Sequence, residues 1–262
     1  VARKPTVSPT KISIYLACPV RYVWTYVDPR GKWYLRGKSY YSFGTTLHNV
    51  LQRFHDEGDA GVRTVDQALA AMEESWIDVG FTSAEEMQEA FAEGKEILSK
   101  YVAAAMQEET PAKTLFVEKM LRYEFPEFAL IGRIDRVDEY PDGTLEIVDY
   151  KSGRETVSVD DVRSDIAMAV YQLLVRRKYP DQPVRATIIA LRSGDRASYS
   201  MTDEELSEFE SDVHRLGIDI VSTGHEDHVP TPKPLCPRCD FLPLCSKVDG
   251  FDLAVLDSFA SG

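Results

Sequence analysis

The chain has 262 residues, with 43 acidic against 30 basic side chains and a net charge of −13. Its 44% hydrophobic content suffices for a sizeable core, and no stretch is apolar enough to span a membrane. The acidic balance argues against a polynucleotide partner only until its distribution is considered: residues 56–110 hold fourteen acids against three bases, which leaves the remainder nearly neutral.

In chain order, a helix is expected near Ser13 to Tyr26, followed at residues 21–41 by five Lys/Arg, one Asp and seven aromatic rings. Cations beside exposed rings suit single-stranded nucleic acid, because phosphates pair while bases stack; equally, some of these rings can be core. A helix from Phe43 to His55 carries His48. The acidic stretch reads as two helices, Thr64 or Val65 to Asp78 and Thr82 to Gln107. In the second, Met87, Phe91, Leu98, Tyr101 and Ala105 share one stripe, with Gly94 in the slot between Phe91 and Leu98. Strands follow near Leu115–Phe125, Phe128–Tyr140 and 144–151, then a helix near Val159–Lys178 and strands at 184–192 and 197–201. A helix from Thr202 toward Val221 leads to a cysteine-bearing tail. Runs of strands with helices on both sides predict an α/β sandwich around a mixed sheet, in one domain spanning 1–262 with an acidic helical insertion at 56–110.

The most informative segment is Gly132 to Gly153, two strands joined by the turn Tyr140-Pro141-Asp142-Gly143. Proline suits the second turn position and Gly143 can take a left-handed conformation. Pairing Tyr140 with Thr144 sets Asp135 opposite Asp149 and Arg133 opposite Lys151. Alternation then gives Leu145, Ile147, Asp149 and Lys151 one face. Facing carboxylates repel, and a divalent cation would offset that repulsion, with Lys151 in reach of a phosphate or an attacking water.

The four cysteines are Cys18, Cys236, Cys239 and Cys245. The start VARKPTVSPTK has no apolar leader, so a reducing cytoplasm is expected and disulfides are disfavoured. The spacing alone fits zinc and iron–sulfur equally.

Gly132-Arg133-Ile134-Asp135 and Asp149-Tyr150-Lys151 resemble the PD-(D/E)XK nucleases, above all the RecB-like branch, and the one-plus-three cysteines resemble the iron–sulfur staple of its AddB-type and CRISPR-associated members. The resemblance implies a restriction-endonuclease-like core with an N-terminal helical part and a Cys-rich C-terminal tail. It implies a metal-dependent DNA nuclease, an exonuclease of repair or recombination, working with a helicase or other repair partner. Mg²⁺ or Mn²⁺ would be held by His48, Asp135, Asp149 and the carbonyl of Tyr150, with Lys151 and Tyr171 as further site residues. A 4Fe-4S cluster would join Cys18 to the end of the domain. Glu118 lies on the strand before the hairpin, where relatives often carry an acid. One position departs from the pattern: the expected glutamine four residues before Tyr171 is Ala167, and Gln172 projects about 100° further round the helix.

Overall fold

The structure is a computed structural model and describes residues 4–56, 61–108 and 112–259. Six strands form one mixed sheet: β1 (Thr6–Val7), β2 (Lys113–Glu124), β3 (Ala129–Glu139), β4 (Leu145–Lys151), β5 (Val184–Ala190) and β6 (Arg196–Tyr199). β3 is the organising strand. One of its edges pairs antiparallel with β2 along its length; the other pairs parallel with β1 at Ala129–Leu130 and antiparallel with β4 from Arg136 onward. β4 continues into parallel pairing with β5, whose far edge takes β6. This is the mixed sheet flanked by helices that the pattern predicts.

Two cores cover the two faces, as the alternation of β4 dictates. Leu145 and Ile147 enter the first, with α1 (Pro9–Ala17), α7 (Ile166–Lys178) and α8 (Asp203–Ser222). Val148 and Tyr150 enter the second, under α3 (Ser39–His55), α4 (Val65–Ser75) and α5 (Ala84–Gln107). The acidic segment therefore covers one face of the sheet. Within it, residues 57–60 and 109–110 lie outside the described residues. α5 runs unbroken through Gly94, where a Cβ would meet the Met72 side chain at 2.5 Å; the glycine admits α4 at close range.

Two expected helices are broken. The first stops at Cys18 because Pro19 disfavours helical geometry in the residue before it, and Cys18 is extended (φ −165°, ψ 107°); α2 (Pro19–Tyr22) and a wide turn over Val23–Val27 follow. The second divides into α6 (Val159–Ser164) and α7 at Asp165, whose carboxylate accepts from the backbone N–H of Ala167 at 2.8 Å and of Met168 at 3.2 Å. Both breaks place chemically useful side chains at helix ends.

Candidate metal centre

The hairpin has the expected register: Glu139 pairs with Leu145 and Arg136 with Val148, Tyr140 N–H donates to Thr144 O, and Gly143 is left-handed at φ +84°. The ladder stops one step before Asp135 and Asp149. There the Tyr150 N–H donates to Asp135 Oδ2 at 2.9 Å, so a side chain replaces the ladder bond. Arg133 does not face Lys151 in a ladder pair; its Nε donates to Glu118 Oε2 at 2.5 Å.

Glu118 and Asp135 are also skipped in the β2–β3 ladder, although their neighbours on both sides pair. Glu118 has φ +45°, a conformation unfavourable for a side-chain-bearing residue, and Ile134 and Val137 both enter the first core, which interrupts the two-residue alternation of β3. This irregularity turns Glu118 and Asp135 toward His48. His48 Nδ1 lies 3.4 Å from Asp135 Oδ2 and 3.8 Å from Glu118 Oε1, and His48 Nε2 is 3.0 Å from the Tyr150 carbonyl. His48, Glu118 and Asp135 offer ligand atoms all within 4.8 Å of one another, a nitrogen and two carboxylates that suit a hard divalent ion. Burial alone would lower the His48 pKa; hydrogen bonding to Asp135 and Glu118 outweighs it and raises the pKa to about 10. The imidazolium proton thus supplies positive charge that the carboxylates otherwise lack.

Asp149 stands beside this group and outside it. Its Oδ2 faces Lys151 Nζ at 2.8 Å, as an ion pair without hydrogen-bond geometry. Burial, then the charge of Asp135, push the Asp149 carboxyl up to about 6. Lys151 is raised despite its own burial, by Asp149 and by Asp165, whose Oδ2 lies 3.8 Å from Nζ. It stays an ammonium. Tyr171 lines the same groove, of about 780 Å³, and its phenol is held well above its usual range by burial and the neighbouring carboxylates. A Cβ on Gly132 would come within 2.8 Å of Leu174 and 2.9 Å of the Tyr171 ring, so the glycine lets α7 approach β3 at the site. Ala167 leaves the first turn of α7 without a polar side chain, and Gln172 instead accepts from Met201 N–H at 2.9 Å.

The sequence pattern singled out neither Arg133 nor Asp165 for the site; Asp165 reads there as an ordinary helix residue, and only the break before α7 brings it to Lys151. His55 shares α3 with His48 and lies two turns on, against Tyr150 and Tyr101, where burial and then Arg136 hold its imidazole down at about 2, hence neutral.

The four cysteines, all free, line one cavity of about 260 Å³, between the start of α2 and the short helix α9 (Leu242–Cys245). Burial first, then the neighbouring thiols, push Cys245 up to about 12. The rings of residues 21–41 divide: Tyr22 enters the first core, Trp24 and Tyr34 pack at the cysteines, and Trp33, Tyr40 and Tyr41 stay exposed. Tyr40 and Tyr41 stand at the mouth of the metal groove, their centroids 4.4 Å apart.

A family model described as the PD-(D/E)XK nuclease superfamily matches residues 6–246. Among solved structures, SSO0001 is 15% identical over 95% of this chain and 89% of its own, with a TM-score of 0.38. A protein of Eubacterium rectale, named as a candidate exonuclease, is 17% identical over 85% of this chain and 97% of its own, with a TM-score of 0.40. No curated protein matches the chain.

Proposed function

Because the chain belongs to the PD-(D/E)XK nuclease superfamily, we propose that it is a divalent-metal-dependent DNA nuclease, an exonuclease acting on single strands in repair or recombination. The observation that carries this reading is the convergence of His48, Glu118 and Asp135 beside the Asp149–Lys151 pair. His48, Asp135, Asp149 and the Tyr150 carbonyl would hold Mg²⁺ or Mn²⁺, with Glu118 as a further carboxylate. The bound ion supplies a Lewis acid that activates water and neutralises phosphate oxygens. Lys151, kept protonated, stabilises the negative charge that gathers on the phosphorus-bound oxygens. Asp165 and Asp149 hold its ammonium in place, and Tyr171 presents a phenol that keeps its proton.

A 4Fe-4S cluster at Cys18, Cys236, Cys239 and Cys245 belongs to the same reading, as a structural staple. Single-stranded DNA is supported by the net +4 of residues 21–41 and by Trp33, which is 85% exposed. A helicase or repair partner and a reducing cytoplasm complete the proposal; among the described residues, no helix is long and apolar enough to cross a membrane.

Labelled single- and double-stranded DNA with free or blocked ends, incubated with Mg²⁺ or Mn²⁺, tests the activity, and Asp149→Ala should abolish cleavage. Ala167 favours a second reading, a nonhydrolytic DNA-binding module of the same fold, and binding without cleavage under every metal condition would establish it. Iron analysis should find about four irons per chain with matching sulfide; stoichiometric zinc in protein made anaerobically with ample iron would overturn the cluster.

A further inference from the structure

Next to Asp135, Arg136 points under α3 and α5, where only 8% of it is exposed. Its Nη1 lies 2.8 Å from Tyr150 Oη, 3.2 Å from Tyr101 Oη and 2.5 Å from His55 Nε2, while its Nε faces Asp138 Oδ2 at 3.0 Å. The His55 ring lies nearly parallel to Tyr150, 19° between planes and 6.3 Å between centroids. Tyr101 Oη in turn meets Tyr150 Oη at 3.0 Å and His55 Nε2 at 2.9 Å.

These four side chains come from four elements: α3, α5, β3 and β4. Three of those elements also carry the metal centre. His48 sits two turns before His55 on α3, and Asp135 immediately precedes Arg136. Tyr150 touches both groups: its hydroxyl meets Arg136, its N–H donates to Asp135, and its carbonyl meets His48. Packing alone would be served by apolar side chains, because desolvating a guanidinium is costly. What a buried guanidinium adds is a planar fork that fixes the relative placement of every group bonded to it.

We propose that Arg136 is a positioning residue for the metal centre, fixing through Tyr150 and His55 where the Tyr150 backbone, Asp135 and His48 meet. The role rests on the nuclease reading above. Groups that hold metal ligands in place commonly change metal affinity about ten- to a hundredfold when removed.

The test is Mn²⁺ binding by the full chain, measured calorimetrically, beside thermal unfolding without metal. Tyr150→Phe removes the hydroxyl held by Arg136 and keeps the ring and the backbone carbonyl; Arg136→Lys keeps the charge and loses the fork. Both should weaken Mn²⁺ binding about tenfold or more in folded protein and lower kcat with little change in the KM for DNA. A merely structural role would lower the unfolding midpoint and leave Mn²⁺ affinity unchanged in the folded protein, and that result overturns the proposal. Asp135→Ala and Asp149→Ala separate the two readings. If they weaken Mn²⁺ binding and Tyr150→Phe and Arg136→Lys do not, the positioning role alone fails; if neither aspartate variant weakens it, the metal-centre reading fails and the positioning role with it.

Discussion

His48 and Glu118 show how individual residues hold the metal centre in readiness. With a pKa raised to about 10, His48 is protonated at pH 7, whereas a metal ligand must offer a free nitrogen. Mn²⁺ binding at pH 7 should therefore release about one proton, and affinity should rise with pH up to about 10. Calorimetry in buffers of different ionisation enthalpy measures that proton; a pH-independent affinity would mean that His48 is not a ligand. Glu118 stores strain of about 1–3 kcal/mol in its left-handed backbone. Glu118→Gly relaxes that backbone and removes a carboxylate next to Asp135. It should leave the metal-free protein at least as stable in denaturant titration while weakening Mn²⁺ binding about tenfold or more.

At the scale of elements, the fit of α7 on β3 depends on Gly132. Gly132→Ala drives a methyl into Leu174 and the Tyr171 ring; overpacking of this kind costs about 1–3 kcal/mol. The displaced Tyr171 should also lower kcat. A denaturation midpoint and a steady-state rate check both, and an unchanged midpoint would show that α7 can shift freely. The same elements show what was legible in the sequence. The hairpin could be read because Pro141 and Gly143 fix the turn locally and a two-residue period carries the register outward to Arg136 and Val148. Its end could not, because the separation of β4 from β3 depends on β5 pairing with β4 and on the Asp135 side chain taking the Tyr150 N–H. Glu118 could be suspected from its strand but not placed, since the irregularity that turns it arises only when β2 pairs with β3. Asp165 was hidden because its capping role breaks a helix that periodicity alone continues.

For the whole molecule, two segments far apart in sequence meet at the cysteines. On the proposed staple, losing Cys18 would reopen a connection of over two hundred residues, so Cys18→Ser should lower thermal stability more than it alters the metal centre. The unfolding midpoint and the Mn²⁺ affinity of the same sample distinguish the two effects; equal loss of both would make the staple part of the catalytic geometry. The exposed aromatics belong to the same scale: Tyr40 and Tyr41 line the groove of the metal centre, and Trp33 lies on the same basic segment. Single-stranded DNA binding should weaken steeply with salt and little with sequence. Trp33→Ala should cost about 1–3 kcal/mol if that ring stacks on a base, read by fluorescence anisotropy. Unchanged affinity would remove Trp33 from the path.

The placement of the cysteines also sets an order of events during synthesis. Cys18 leaves the ribosome 218 residues before Cys236, which at about 5–20 residues per second is a wait of roughly 10–45 s. Tyr171 and every other residue of the metal centre are translated within that interval. A nascent chain can therefore assemble its sheet before Cys236, Cys239 and Cys245 are made, and a group held by the proposed staple would then be loaded onto a core formed without it.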